Sequence, residues 1–193
     1  MAVNLIKGGE VSLSKEAPGL TLVQVGLGWD PTVSTKIADL DLSLFLLNSQ
    51  GKVSQDLDFI FYNNKISVDG SVEGADDDRT GGTSDGDDDE VARIDLGRVS
   101  ANIEKIAIAA TIHGAAGNIE NFGEVENAYI RVVNEKSGAE IVRYDLTGDY
   151  SRNNAVVLGE IYRAGATWSF RAVGDGHSTG LMGICKSFGV NVG

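Results

Sequence analysis

The chain has 193 residues, of which 28 are acidic and 16 basic, and its net charge at pH 7 is −12. This acidic balance argues against a nucleic-acid partner, since no basic patch is present to bind phosphates. The 42% of apolar residues is sufficient for one sizeable core, so we expect a single domain over residues 1–193.

The cysteine content and the hydropathy pattern indicate the compartment. Cys185 is the only cysteine, which rules out an internal disulfide and is typical of a reducing cytoplasm. Residues 1–7 lack the apolar region of a signal peptide, and no stretch is long and apolar enough to span a membrane. We therefore expect a cytoplasmic protein with no membrane span.

Most of the chain reads as short strands separated by turns. The alternation is clearest from Ala38 to Leu47, where the leucines at 40, 42, 44 and 46 face one side while Asp39, Asp41 and Ser43 face the other. Further strands are predicted at 20–27, 57–62, 91–96, 103–112, 128–133, 140–146, 155–163 and 167–173. This pattern predicts a mainly β protein, an antiparallel β-sandwich.

The C-terminal segment is the one region that reads as a helix. Apolar residues recur at helical spacing from Leu181 to Phe188, Ser178 is a candidate N-cap, and Gly189 is a natural stop. Cys185 lies on the apolar face of this helix, so we expect a buried structural thiol.

Residues 73–90 form an acidic segment that holds most of the net charge. Arg79 is the only cation in it, and the segment carries a net charge of −8. Its carboxylates are Glu73, Asp76, Asp77, Asp78, Asp85, Asp87, Asp88, Asp89 and Glu90. Like charges at this density repel, so they must point into water or bind a cation. Oxygen ligands without nearby His or Cys favour Ca²⁺ over Mg²⁺ and zinc, and the alternative is a solvated acidic loop.

Asp39 and Asp41 are the natural additional ligands for such a cation. They are two residues apart on one predicted strand, so both point to the same face. The alternative is that they simply face water. The acidic segment is too dense in carboxylates for an EF-hand and has no flanking helices.

The sequence offers little support for catalysis. His113 and His177 each lie beside glycine, and no nucleophile is paired with a base. Gly26 and Gly28 form a G-x-G, but Trp29 follows in place of a third glycine and a helix start, which disfavours a dinucleotide site. We therefore expect a protein that is not an enzyme.

Several motifs resemble the TerD tellurium-resistance family. They cover nearly the whole chain: Lys7-Gly8-Gly9, Val11 to Lys15, Ala17 to Leu20, Gly26 to Asp30, Asp39-Leu40-Asp41, Asp58 to Asn64, Asp77 to Gly81, Asp85 to Asp88 with Glu90, Asn121-Phe122-Gly123, Asn127 to Arg131, and Gly189 to Val192.

The resemblance implies a β-sandwich that binds calcium at two sites through the acidic motif and that acts in bacterial resistance to tellurite and other stresses. Together with the two aspartates of the strand predicted at 38–47, the resemblance suggests eight metal ligands. They are Asp39, Asp41, Asp77, Asp78, Asp85, Asp87, Asp88 and Glu90. One of Asp87, Asp88 and Asp89 resembles an insertion, so which of them contact metal stays open.

Three functional hypotheses follow. The favoured one is a calcium-binding module that acts non-enzymatically through other stress-resistance proteins, including a membrane-associated complex. A metal-dependent enzyme acting on an oxyanion or phosphoester, with the metal as Lewis acid, is the first alternative. The second is a domain in which calcium is purely structural.

Overall fold

The computed structural model describes residues 2–30, 38–74, 88–114 and 119–192, which form two six-stranded sheets packed face to face. The strands are β1 (Val3–Leu5), β2 (Glu10–Ser12), β3 (Leu22–Asp30), β4 (Leu40–Leu47), β5 (Phe59–Ile60), β6 (Val72–Glu73), β7 (Glu90–Asp95), β8 (Lys105–Ile112), β9 (Glu126–Asn134), β10 (Ala139–Asp145), β11 (Ala155–Ala164) and β12 (Thr167–His177). The helices are α1 (Leu13–Glu16) and α2 (Gly180–Phe188), and Asp56–Asp58 and Phe122–Glu124 form short 3₁₀ helices.

The two sheets have the orders β1-β10-β9-β3-β7-β6 (sheet A) and β2-β12-β11-β8-β4-β5 (sheet B). The predicted antiparallel β-sandwich is confirmed, with one exception in the described strands. In sheet A, β1 runs parallel to β10, with Val3 opposite Val142.

The core lies between the sheets, and the period-two pattern of the sequence selects the residues that enter it. The four leucines of β4 at even positions are buried in the same cluster as Val23, Val25 and Leu27 of β3. The alternation predicted for 38–47 is therefore correct, and Asp39 and Asp41 lie on the outer side of sheet B. Each fully buried Leu or Val stabilises the fold by about 1.5–3 kcal/mol.

A second apolar layer lies on the outer face of sheet B, where α2 covers it. Ile184 and Cys185 of α2 are buried in one cluster with Phe45, Ala109 and Val157 of the sheet. The predicted burial of Cys185 is confirmed, and burial raises the pKa of its thiol to about 11, so the reactive thiolate is suppressed at neutral pH.

The predicted ends of α2 are half right. The helix has Thr179 as its N-cap residue, without a side-chain cap bond, so the prediction of Ser178 at this position is wrong. Gly189 ends the helix as predicted, in the left-handed conformation with φ of 81°. Among the described residues, no helix is long and apolar enough to cross a membrane.

The sequence did not predict the shortest elements. β1, β2, β6 and α1 have two to four residues each, which is too few for alternation or helical spacing to be recognised. The strand predicted at 57–62 is shorter in the structure, because Asp56–Asp58 is a 3₁₀ helix and only Phe59–Ile60 pairs in the sheet.

Candidate metal centre

The ends of several strands from both sheets lie together at one end of the sandwich. In sheet A, Leu27 near the end of β3 pairs with Glu90 at the start of β7. In sheet B, Leu40 at the start of β4 pairs with Ile112 at the end of β8. Trp29 joins the sheets here, because its indole N–H donates to the Ala38 carbonyl at 3.0 Å.

We call this region the acidic end and define it by its carboxylates Asp30, Asp39, Asp41, Asp88, Asp89 and Glu90. It contains four of the eight predicted metal ligands. The other four, Asp77, Asp78, Asp85 and Asp87, lie outside the described residues.

Glu90 connects the two sheets at the acidic end. It lies on the inner side of β7 and is only 5% exposed, and its carboxylate accepts a hydrogen bond from the Leu42 N–H at 2.5 Å. β5 pairs with β4 only at Leu44 and Phe45. The Glu90 carboxylate therefore accepts the hydrogen bond that a longer β5 would accept from the Leu42 N–H. This contact brings Glu90 next to the strand that carries Asp41.

Asp39 and Asp41 lie beside His113, which follows the last residue of β8. The His113 N–H donates to the Asp39 carbonyl at 2.9 Å, and its Nδ1 lies 3.5 Å from a carboxylate oxygen of Asp41. From the sequence, His113 is only a catalytic candidate, and its position beside Asp41 is not predicted. Its place follows from the pairing of β4 with β8, which no local pattern reveals.

Asp88 lies on the outer face of sheet A. Its Oδ1 accepts hydrogen bonds from Arg131 Nε–H at 2.8 Å and from the Tyr129 hydroxyl at 3.1 Å. Arg131 also donates to Glu140 at 3.2 Å, and the guanidinium of Arg143 stacks 3.6 Å from the centre of the Tyr129 ring. The side chain of Asp88 is 9% exposed, so this carboxylate is paired and largely shielded from water.

Two glycines of β3 make room for these groups. A Cβ on Gly26 would lie 2.0 Å from an Asp88 carboxylate oxygen, and one on Gly28 would lie 2.3 Å from the Tyr129 ring. The G-x-G that superficially resembles a nucleotide-binding motif therefore allows close approach of side chains to the sheet. We call the group formed by Gly26, Tyr129 and Arg131 the Asp88 pocket.

The electrostatics of the Asp88 pocket follow from this pairing. Burial raises the pKa of Tyr129 to about 12, and the charge and hydrogen bond of Asp88 add to the rise. Burial lowers the pKa of Arg131, but the Asp88 carboxylate outweighs it, and the guanidinium pKa is raised overall. Both groups therefore remain hydrogen-bond donors at neutral pH.

Asp89 holds the end of β3. Its N–H donates to the Leu27 carbonyl at 2.9 Å, and its carboxylate accepts from the Trp29 N–H at 2.8 Å. The three consecutive carboxylates thus contact different parts of the fold: Asp88 contacts the outer face of sheet A, Asp89 the end of β3, and Glu90 the β4 strand.

The donor types of the acidic end suit calcium, because they are carboxylate oxygens. Within the described ranges, however, no three His, Cys, Asp or Glu side chains converge on a common position for a metal ion. The four predicted ligands that the structure describes therefore do not by themselves form such a cluster.

The fold and this end define the class: a two-sheet β-sandwich in which an acidic segment ends beside the first residues of β4. The TerD domain model matches residues 1–188. The chain therefore belongs to the TerD domain family.

Relatives over the full length support this assignment. The chain is 49% identical to tellurium resistance protein TerD of Serratia marcescens, and the match covers 99% of both chains. It is 44% identical to general stress protein 16U of Bacillus subtilis (strain 168), with all of both chains covered. A crystal structure of a homologue of telluride resistance protein (TerD) from Streptomyces coelicolor A3(2) has a TM-score of 0.66 and 22% identity, covering 85% of this chain and 94% of that one, and shares its fold.

Proposed function

We propose that the protein is a calcium-binding stress-response protein of the tellurium-resistance type, which acts non-enzymatically through other stress-resistance proteins, including a membrane-associated complex. The observation that carries the calcium part is the contact of Glu90 with the Leu42 N–H. It joins the last carboxylate of the acidic segment to β4, which contains Asp41 and directly follows Asp39.

Charge balance supports a cation at this end. The five aspartates of residues 75–87 are accompanied by one arginine, and six further carboxylates define the acidic end. One or two calcium ions bound by Asp39, Asp41, Asp77, Asp78, Asp85, Asp87 and Glu90 would offset this repulsion. Two ions would also cancel about half of the −8 charge of the acidic segment, and a surface potential of that size steers association with partners.

Three described side chains bear on the choice between a binding module and an enzyme. His113 lies against Asp41, and His177 Nε2 lies 3.4 Å from a carboxylate oxygen of Asp175. Cys185 is buried between α2 and sheet B, and burial raises the pKa of its thiol. The buried thiol disfavours a cysteine nucleophile, whereas a histidine beside an aspartate is compatible with either a binding module or an enzyme. The names of the relatives, which refer to tellurium resistance and general stress, support the cellular role.

Isothermal titration with calcium tests the metal part. We expect calcium heat in the wild type and its loss in Asp85→Asn/Asp87→Asn. Glu16→Gln/Glu104→Gln is the matched control, because it removes two exposed carboxylates at the opposite end of the sandwich. Equal binding in the loop variant and the wild type contradicts the proposal.

Intrinsic fluorescence provides a second readout. Trp29 lies between Asp89 and Ala38 at the acidic end, so in a Trp168→Phe background its emission should change with calcium. The loop variant in the same background should not respond.

Tellurite resistance in cells tests the partner mechanism. The loop variant, the control variant and the wild type are expressed in cells that lack the gene, and partners are compared after affinity capture with calcium or with chelator. We expect the loop variant to lose both resistance and calcium-dependent capture. Turnover of tellurite by purified wild type would instead support the enzyme.

A further inference from the structure

We infer that Asp88 is a positioning residue and not a calcium ligand: its carboxylate holds the end of the acidic segment against sheet A, and it stays there when calcium binds. The inference rests on the proposed calcium binding, but its geometric premise can be tested without metal. It also removes Asp88 from the three neighbouring aspartates whose roles the sequence left open.

The first support is the strength of the pairing. Asp88 accepts from Arg131 Nε–H at 2.8 Å and from the Tyr129 hydroxyl at 3.1 Å, and charge-assisted bonds of this kind are about twice as strong as neutral ones. Arg131 is itself held by Glu140. A calcium ion bound through Oδ1 would displace Arg131 and Tyr129 in a partly buried position. The other oxygen, Oδ2, lies against Gly26, where a Cβ would come within 2.0 Å of it.

The second support is the shape of the Asp88 pocket. A glycine inside a strand costs about 0.5–1 kcal/mol relative to alanine. Gly26 lies in the middle of β3, where a Cβ would come within 2.0 Å of the Asp88 carboxylate. The strand therefore has the one residue type that leaves room for this carboxylate.

The third support is the position of Asp88 in the chain. It is the first described residue after 75–87, and the Asp89 N–H beside it donates to the Leu27 carbonyl. Fixing Asp88 on sheet A therefore fixes where the acidic segment rejoins the sheet, and with it the approach of Glu90 to β4. Calcium affinity would depend on Asp88 through this geometry.

The two possible roles of Asp88 predict opposite effects of removing Arg131. If Asp88 is a ligand, Arg131 competes with calcium for its carboxylate, and Arg131→Met should tighten calcium binding. If Asp88 is a positioning residue, Arg131→Met releases the same anchor as Asp88→Asn and should weaken calcium binding.

Calcium titrations of Asp88→Asn, Arg131→Met and the double variant show whether these changes tighten or weaken calcium binding. We expect each single variant to weaken calcium binding by about fivefold. The double variant should bind calcium no more weakly than either single variant, because all three variants remove the same interaction between Asp88 and Arg131. Arg93→Met is the matched control: it removes a guanidinium that pairs with Glu135 and Glu73 on the same sheet, with the same change in net charge. Tighter binding in Arg131→Met than in Arg93→Met overturns the inference.

The Arg131 Nε–H signal in ¹⁵N NMR spectra reports the contact directly, and Arg131→Lys assigns it. We expect a shifted, exchange-protected signal in metal-free protein that calcium leaves unchanged. Gly26→Ala, which alters no charge, should abolish the protection and weaken calcium binding. Loss of protection on adding calcium shows that Asp88 moves to the metal and overturns the inference.

The two measurements separate the possible failures. Absence of calcium heat in the wild type overturns the proposed function and the calcium part of this inference. An unprotected Arg131 signal in metal-free protein overturns the Asp88 pocket itself. Melting curves confirm that each variant is folded at the temperature of the titration.

Discussion

The two ends of the sandwich stabilise carboxylates in different ways. At the end opposite the acidic end, Asp69 accepts five hydrogen bonds from three serines. The donors are Ser67 Oγ–H at 2.7 Å, the N–H and hydroxyl of Ser71 at 2.9 and 2.6 Å, and those of Ser100 at 2.9 and 2.8 Å. These bonds tie the 67–71 turn to the segment that follows β7.

The acidic end distributes its carboxylates over separate contacts. Asp88 uses a guanidinium and a phenol, whereas Asp89 and Glu90 each accept from a backbone N–H. These three residues are consecutive and follow five further aspartates, so their charges repel one another.

The difference shows what each carboxylate needs. Burial raises the pKa of Asp69, but the hydrogen bonds from Ser71, Ser67 and Ser100 outweigh it and hold the pKa well below its usual range. One anion with enough neutral donors is stable without a cation. In a series of adjacent anions each charge also repels its neighbours, and this is why we propose calcium at the acidic end and a structural role for Asp69.

Replacing Asp69 should give the largest change in stability. Asp69→Ala leaves the buried hydroxyls of Ser67 and Ser71 without their acceptor, and we expect a loss of about 3 kcal/mol in the free energy of unfolding. Urea denaturation should show the same loss in calcium and in chelator. Glu104→Ala, at the same end but exposed, is the control and should cost less than about 0.5 kcal/mol. A loss that depended on calcium would contradict the comparison.

Calcium should produce the next largest effect, and only through the acidic end. At a free concentration about 100 times the dissociation constant, binding adds about 2.7 kcal/mol to the free energy of unfolding. Differential scanning calorimetry should show a higher melting temperature in the wild type and in Asp69→Asn. The melting temperature of Asp85→Asn/Asp87→Asn should not change with calcium. If calcium did not change the melting temperature of the wild type, the proposed difference between the two ends would be wrong.

Substitutions of Glu90 measure how much the acidic end stabilises the fold when no metal is bound. Glu90→Ala leaves the Leu42 N–H without its acceptor, which should cost about 2 kcal/mol in chelator. Glu90→Gln should restore part of this stability, because an amide oxygen can accept the same hydrogen bond. Hydrogen exchange at the Leu42 amide distinguishes the two variants, and equal exchange in both would show that this bond does not hold the sheets together.

Acid titration should give the smallest effect and act through Asp69. Because its folded-state pKa is lowered, its stabilisation is fully present above the unfolded pKa of about 3.9 and is lost as the pH falls towards the folded value. The difference in unfolding free energy between the wild type and Asp69→Asn should therefore shrink below about pH 5. Urea denaturation in chelator at pH 7, 5, 4 and 3 measures this, and a constant difference would assign the stabilisation to packing.

The fold was largely predictable where strands are long. The segment 38–47 shows why: its alternation spans enough residues to define a buried face, and both the face and Asp39 and Asp41 on the other side are as predicted. β1 and β6 were not predictable, since two or three residues define no period. The parallel orientation of β1 depends on Val142, far away in the chain.

The candidate site was predictable in composition but not in contacts. The carboxylates of the acidic segment are adjacent in the chain, so their density is visible directly. The Asp88 pocket depends on Gly26 lying opposite Arg131 in the pairing of β3 with β9. A one-residue change of register would turn Arg131 to the other face of the sheet, and this register is set by the buried faces of both strands.

The sequence by itself determined the β-sandwich, the charge of the acidic segment and the family, because alternation, composition and long motifs are local properties of the chain. Only the tertiary structure decided that Asp88 pairs with Arg131 and that Glu90 joins the sheets at Leu42. The same is true of the three serines that donate hydrogen bonds to the Asp69 carboxylate. The physical reason is that a carboxylate is satisfied by whichever donors the packing of distant strands brings within about 3 Å, and strand packing is a property of the whole fold.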